Sequence, residues 1–410
     1  MLGHLYYVLS GCQSFYKFFS HINELDLSSY RIPRRTCLWR GRNCLALIRD
    51  DLNLTYTQIG LLLSLPGIIA AFIEPFIGIL GDVWKRRILI IMGGVLFTIS
   101  LFMTSASYSF AFLLSSFILF GPSSGAYVNL SQANLMDSDP ARHEQNMARW
   151  TFAGSIGVLT GPLLLGLLVY FGLGWRGTYA ALASFSTLCL LAALRYLPSA
   201  SRSSPSFPSL GVVLDGFRAA FSALQRAEVW RWLLLLEFAD LIMDVFLSYM
   251  ALYFVDVGRV TETQAGIAVT IWLLLGMIMD FAFIPFIDRQ PDSMRYLRFT
   301  ALLEVIFFSM FLLVPGLIPK LVLIVFVNIF NTGWYPILQG RLYSSLPGQS
   351  ASIMAIGSVT APLAKFFPFL IGFLADRFGL QTAMWILLLG PVALFIGLPR
   401  HNNQQQISNL

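Results

Sequence analysis

The sequence predicts an all-α polytopic membrane protein, two six-helix bundles in pseudo-two-fold repeat. Three observations predict it. Of 410 residues, 57% are hydrophobic and only 12% charged, with a mean hydropathy of +0.71, whereas a soluble domain carries about a quarter charged residues. Apolar runs of about 20 residues, enough for a helix to cross about 30 Å of hydrocarbon, recur along nearly the whole chain. Finally, a shift of 206 residues brings polar positions of the two halves into one register.

Eleven spans are expected, at 56–80, 88–106, 109–136, 150–171, 177–197, 230–254, 263–287, 297–315, 318–343, 351–374 and 380–398, and parity calls for a twelfth near the N-terminus. Gly and Pro inside them (Gly93-Gly94, Gly121-Pro122, Gly161-Pro162) are tolerated because neighbouring helices re-satisfy the freed backbone. A β-barrel would instead show ten-residue alternating strands.

The formal charge of +6 marks orientation rather than nucleic-acid binding. Lys85, Arg86 and Arg87 follow the first of these spans, and Arg142 and Arg149 lie two connections later. Arg195, Arg202, Arg218, Arg226 and Arg231 surround the longest connection, and Arg289, Arg295 and Arg298 follow the span ending near Ile287. The intervening connections hold about one basic residue each: Arg176, Arg259, Lys320 and Arg377. The positive-inside rule makes the first set cytoplasmic, together with the tail 399–410 and, for twelve spans, both termini.

Cys12, Cys37 and Cys44 fall in the first fifty residues and Cys189 is alone in a span, so no ligand spacing or disulfide framework arises. No metal site is expected. All four histidines (His4, His21, His143, His401) lie outside the expected spans, so any titration within the membrane rests on carboxylates.

Ser199–Ser209 (SASRSSPSFPS) is a Ser/Pro-rich break near the middle, and Val212–Ala227 after it reads as an amphipathic helix on the cytoplasmic surface. The expected organisation is an atypical N-terminal segment 1–50, bundles at 51–198 and 229–398, and a linker 199–228 between them. The repeat pairs Asp50 with Asp256, Thr55 with Thr261, Thr57 with Thr263, Gln58 with Gln264 and Gly60 with Gly266. Without a gap it then pairs Glu74 with Asp280 and Asp82 with Asp288. Parallel repeats of this kind build large secondary transporters.

The helix before Asp256 lacks an apolar counterpart, because SYRIPRRTCLWRGRNC is basic and unfit to span. Either Leu5–Ile22 serves as the first span, or the helix is frame-shifted. Suitable synonymous codons for YRIPRRTCLWRGRNC, read one nucleotide later, spell TVFLDELVYGAAETA. Its FLDEL falls on Phe238–Ile242 in the repeat register. The gene sequence decides between the two.

GILGDVWKRR, Gly78–Arg87, resembles the loop signature between the second and third helices of the major facilitator superfamily. Gly78, Asp82, Arg86 and Arg87 match, while Val83 and Lys85 stand where the family has Arg and Gly. The second-half copy keeps Asp288 and Arg289. The resemblance covers essentially the whole chain and implies a cytoplasmic clasp made by Asp82 and Arg87, a carboxylate at a helix N-terminus and a cation near a carboxylate. GSIGVLTGPLLLG, Gly154–Gly166, resembles the family's antiporter signature at Gly157, Gly161, Pro162 and Gly166, although Ala148 and Leu165 replace two of its glycines. Small residues four apart also permit ordinary close packing, with Pro162 bending the span.

Three carboxylates interrupt the apolar run LEFADLIMDVF: Glu237, Asp240 and Asp244. Spacings of three and four place them on one helical face, turned from lipid because a charge there costs at least about 2.5 kcal/mol. Such a cluster is suited to taking up and releasing a proton. Glu237 lies near the cytoplasmic end, where Arg231 offers an alternative partner. Glu74 and Asp280 add acids two turns before the clasp, and Glu304 in the ninth helix is placed to pair with Lys365 in the eleventh. Asn129, Gln132 and Asn134, with Asn328, Asn331, Trp334, Tyr335 and Gln339, offer hydrogen bonds and aromatic walls for a small amphipathic solute or glue between helices.

No G-x-x-x-x-G-K-[ST] loop or His-rich box is present, which argues against ATP-driven and enzymatic functions. The resemblance therefore implies secondary transport of a small solute with no cofactor beyond a proton gradient, by a monomer in the plasma membrane. Proton-coupled export is the favoured form. Proton- or cation-coupled uptake, a non-transporting sensor and a defective copy stand as alternatives.

Overall fold

The computed structural model describes residues 44–197, 208–289 and 292–399. The expectations about the first helix, the Ser/Pro break and the C-terminal tail fall on residues outside that set. The described residues form helices joined by short turns, and among them nine helices are long and apolar enough to cross a membrane.

The chain divides into two compact units. The first contains α1 (Cys44–Leu52), α2 (Tyr56–Val83), α3 (Arg86–Ser105) and α4 (Phe110–Ser124), which runs through a π-helical turn, Gly125–Asn129, into α5 (Leu130–Ser138). α6 (His143–Tyr170), α7 (Gly174–Tyr196) and α8 (Leu210–Ala223) come next. The second unit contains α9 (Ala227–Asp240), a π-helical turn Leu241–Val245, α10 (Phe246–Asp256), α11 (Glu262–Ile287), α12 (Ser293–Leu313) and α13 (Leu317–Asn331). α14 (Trp334–Ser345), α15 (Ile353–Phe378), α16 (Leu380–Ala383), a 3-10 turn Met384–Leu388 and α17 (Leu389–Gly397) complete it.

Unlike the two expected bundles, the units are not contiguous in sequence. Ala141–Phe152, the start of α6, belongs with the second unit, and Leu346–Ser358, around the start of α15, belongs with the first. These segments coincide under the 206-residue shift. The exchange reflects polar anchoring, because each segment carries groups whose partners lie in the unit it joins.

Local capping explains why the repeat register survives. Thr55 accepts from the Gln58 backbone at 3.2 Å while the Gln58 side chain takes the Thr55 N–H at 2.9 Å. Thr261 and Gln264 form the same reciprocal pair at 3.3 and 3.0 Å. Each box satisfies two otherwise orphaned groups at a helix start. The turns before them match too: Asn53 and Arg259 both sit at φ 51°, the left-handed region a non-glycine seldom adopts.

In the first unit α3 packs on α4, α7 and the π-helical turn. The approach at that turn requires glycine. A Cβ on Gly93 would lie 2.6 Å from Ala126 Cβ and 2.9 Å from the Tyr127 nitrogen. The second unit is built around Phe246, whose ring meets Trp272, Phe308 and Phe311 edge-on at 5.2–5.5 Å, with Ile242, Met250, Tyr253 and Ile324 buried around it. Phe72, Phe76, Phe281 and Ile318 remain exposed, as side chains facing lipid rather than water would be.

Gly93→Ala is expected to destabilise the first unit by about 1–3 kcal/mol, since the backbone opposite cannot retreat. Gly67→Ala, where nothing lies within 4 Å, should gain a few tenths of a kcal/mol to about 1 kcal/mol by removing helical glycine. Thermal melting of the purified protein in detergent distinguishes the two.

Candidate functional site

The end of α2 presents Asp82, and glycine brings it close to its partners. A Cβ on Gly81 would meet Leu130 Cδ2 at 2.5 Å and Ala351 Cβ at 2.9 Å. The Asp82 carboxylate accepts the Ala351 N–H at 3.0 Å, the Ser352 N–H at 2.7 Å and the Ser352 hydroxyl at 2.6 Å. It thus caps the start of α15, where unsatisfied N–H groups and the helix dipole favour negative charge. Arg86 Nη2 lies 2.7 Å from Asp82 Oδ1, and its Nη1 lies 2.6 Å from Asp137 Oδ2. Asp137 also accepts from the Ser350 hydroxyl. All these residues belong to the first unit.

The resemblance implied a carboxylate at a helix N-terminus and a cation near a carboxylate; Asp82 lies on the start of α15, and Arg86 pairs with two carboxylates, Asp82 and Asp137. Arg87 donates to the Leu194 carbonyl at 2.8 Å, because one residue's advance on a helix turns its side chain by about 100° toward α7. Gly78 is buried one turn before Asp82. Beside the cap, α8 lies against α2, with Phe217 meeting Phe76 at 4.9 Å. A cavity of about 340 Å³ opens there between Asp215 and Gly216 of α8, Asp82, and Gln349 and Ser352.

The second unit holds the repeat-related arrangement. The exposed Asp288 accepts from the Gln145 side-chain amide. Glu144 pairs with Arg341 Nε at 2.7 Å and accepts from Ser293 at 2.6 Å, and His143 Nδ1 lies 2.9 Å from the Ser344 hydroxyl. Arg289 is exposed. The motif alone does not point to Glu144, Asp137, Ser350, Ser352 or Arg341. The repeat does carry a signal for some of them, since the shift pairing Asp82 with Asp288 also pairs Ser350–Ser352 with Glu144–Asn146.

The acidic run departs from a simple stripe. Asp240 ends α9 and Asp244 lies inside the π-helical turn Leu241–Val245. The widened turn rotates the helix beyond it, so Glu237 and Asp240 are half-buried while Asp244 is exposed. Arg231 is exposed and forms no ion pair with Glu237, because six residues along a helix separate them by about 9 Å. Glu74 lies against the other π-helical turn: a Cβ on Gly125 would meet Glu74 Oε1 at 2.9 Å. Asp280 is half-buried on α11. Glu304 is fully buried, and the side chain of Lys365, its expected partner, lies outside the described residues.

Gly157 and Gly161 are buried in α6, but Gly166 is exposed, and a Cβ there would have nothing within 4 Å. Close helix approach therefore does not explain Gly166. The side chain of Pro162 lies outside the described residues. Of the polar solute-binding candidates, Asn129 is half-buried and Gln132 buried in the first unit. Trp334 is fully buried, donating from Nε1 to Thr300 Oγ1 at 3.0 Å, and Asn328 donates to the Trp272 carbonyl at 3.2 Å. These two, with the buried Asn331, sit inside the second unit rather than on an open wall, because their amide and indole groups need partners that the packed interior supplies. Tyr335 and Gln339 remain half-buried.

Two sets of apolar helices, a repeat written in matching caps, and an acid clamped to a helix start far along the chain define a membrane transporter of the two-bundle class. A profile of the Major Facilitator Superfamily matches residues 44–367, and the chain belongs to that family. It is 20% identical over 325 residues to the quinolone resistance protein NorA of Staphylococcus aureus (strain MSSA476), covering 76% of this chain and 81% of that one. It is 27% identical over 158 residues to the purine ribonucleoside efflux pump NepI of Salmonella paratyphi B, covering 37% and 38%. Among solved structures it resembles the human organic anion transporter MFSD10 with TM-score 0.70 and 18% identity, over 97% of this chain and 98% of that one. The E. coli fucose:proton symporter FucP matches with TM-score 0.67 and 18% identity, over 96% and 97%.

Asp82→Asn keeps the side chain's shape but removes the charge from the α15 cap and from Arg86. It is expected to weaken that anchor by about 1.5–3 kcal/mol, the worth of hydrogen bonds to a charged group. Protease or thiol-labelling accessibility at positions 346–352 should rise accordingly, while Arg87→Gln should leave it nearly unchanged.

Proposed function

We propose that this protein exports a small amphipathic solute across the plasma membrane in exchange for protons, with no cofactor beyond the proton gradient. The observation that carries this reading is the acidic pair at the helix interruption: Asp240 and Asp244 lie at a π-helical turn in the middle of an otherwise apolar helical run. Ionisable groups at membrane depth are costly and mark ion or proton pathways. Single π-helical turns inside α-helices are likewise frequent at functional sites.

The two features act together. Deprotonated, Asp240 and Asp244 repel each other and require an aqueous surround. Neutralised by protons, they tolerate an apolar one. A π-helical turn stores one residue of slack, so sliding it along the helix rotates the segment beyond it at small cost in hydrogen bonds. Proton binding then selects between two arrangements of α9 and α10, which is a population shift driven by differential affinity. Glu237, half-buried one turn earlier, extends the same acidic track.

The Asp82 cap supplies the complementary restraint at the cytoplasmic end. Opening that end requires the α15 first turn to leave Asp82, and the retained charge of Asp82 draws it back. Export is favoured because the sequence relatives include one named as an efflux pump and one named for quinolone resistance.

Purified protein in liposomes with an imposed pH gradient tests the reading, using a solute panel that includes quinolones and purine ribonucleosides. Solute flux opposite to proton flux is expected, with Asp240→Asn plus Asp244→Asn lowering pH-driven flux at least tenfold, a loss of about 1.4 kcal/mol or more of coupling. Intact coupling in the double variant sinks the assignment of these acids. Parallel flux of solute and protons identifies uptake instead.

A further inference from the structure

Glu304 is the most anomalous side chain in the second unit. It lies in the middle of α12, is 0% exposed, and neither carboxylate oxygen has a hydrogen-bond partner among the described residues. An ionised carboxylate so placed would be held in the interior with nothing to offset its desolvation, at a cost of several kcal/mol.

The helix facing it carries two further orphans. α12 and α13 form an antiparallel hairpin whose register is fixed at several levels. Lys320 Nζ donates to the Phe311 carbonyl at 2.5 Å, Phe307 packs against Phe326 and Phe330 at 5.0 Å, and Tyr296 Oη donates to the Thr332 carbonyl at 2.8 Å. This register sets Glu304 at the level of Val327 and Asn328. Asn328 Oδ1 is buried without a donor, and one turn further along the same face Asn331 Nδ2 is buried without an acceptor. Gly276 of α11 leaves room beside the Asn328 amide, which a Cβ there would approach only to 3.5 Å.

Among the described residues, no cation faces this group from the elements packed on α12. Lys320 is occupied at the far end of the hairpin by Tyr253 Oη and the Phe311 carbonyl. Arg298 donates to the Leu398 carbonyl, and Arg295 pairs with Asp292. Met384–Leu388 and Leu389–Gly397 contain no ionisable residue, and the acids of the α11 end, Asp280 and Asp288, are of the wrong sign.

A proton on Glu304 removes the charge that burial penalises, and none of the described neighbours supplies a cation in its place. We propose that Glu304 binds a proton inside the second unit, as a neutral carboxylic acid retained by the fold. This site is separate from Asp240 and Asp244, and its proton is a fixture of the packing rather than one exchanged during transport.

Infrared spectroscopy of the purified protein in lipid discs at neutral pH tests the proposal. The carbonyl stretch of a protonated carboxylic acid should be present in wild type and disappear in Glu304→Gln. Glu304→Gln keeps a neutral side chain with both donor and acceptor, so its melting temperature should stay near that of wild type and its pH-driven flux within twofold. Lys365→Met should leave the band in place. A spectrum in which Glu304→Gln removes no such band overturns the proposal. So does appearance of the Glu304 acid band only after Lys365→Met, which would identify an ion pair. A melting temperature that rises with sodium in wild type but not in Glu304→Gln also overturns it, by identifying a metal cation in place of the proton.

Discussion

Hydrocarbon supplies no hydrogen bonds, and the organisation of this protein follows from the need to pair polar groups without water. Backbone groups meet the demand within single segments, which is why the described residues fold as helices from α1 to α17. Side chains meet it by returning to backbone carbonyls of their own turn, as Ser100, Thr104 and Ser116 do. Several groups that cannot be paired locally are paired across long stretches of sequence, as Asp82 and Glu144 are.

The Asp82 network is the clearest case. A buried carboxylate would be costly alone, yet Asp82 collects two backbone N–H groups, a hydroxyl and a guanidinium. The helix start that receives it loses orphan donors at the same stroke. The interaction is strong because both sides would otherwise be unsatisfied, and reversible because each side can be solvated by water once parted. These are the properties a conformational latch requires. The repeat-related arrangement at Asp288, Gln145, Glu144 and Arg341 uses amide and ion-pair contacts instead. The two arrangements are therefore chemically unequal, and the one at Asp82 leans more heavily on backbone.

The π-helical turns answer to the same constraint. Each one leaves an irregular stretch in an otherwise complete ladder, at Gly125–Asn129 and at Leu241–Val245. Each stands beside an acid, Glu74 at the first and Asp240 with Asp244 at the second. At both π-helical turns, irregular backbone and an acid thus occur together.

Much of this was legible in the linear chain. Hydropathy anticipated nine helices that are long and apolar enough to span among the described residues, and the 206-residue shift paired Thr55 and Gln58 with Thr261 and Gln264, the residues that form the two capping boxes. The motif around Gly78–Arg87 pointed to Asp82. Tertiary structure decided the rest: that Arg86 bridges Asp82 and Asp137 while Arg87 reaches the Leu194 carbonyl, that Trp334 is sealed inside its unit, that Asp244 turns away from Glu237, and that Glu304 is fully buried without a hydrogen-bond partner among the described residues. The physical reason is common to all four. Periodicity and composition report how a residue relates to its own helix, because those distances are set by local geometry. Which neighbour a side chain meets depends on rotations of about 100° per residue and on packing between segments far apart in sequence, and no local pattern in the chain encodes them.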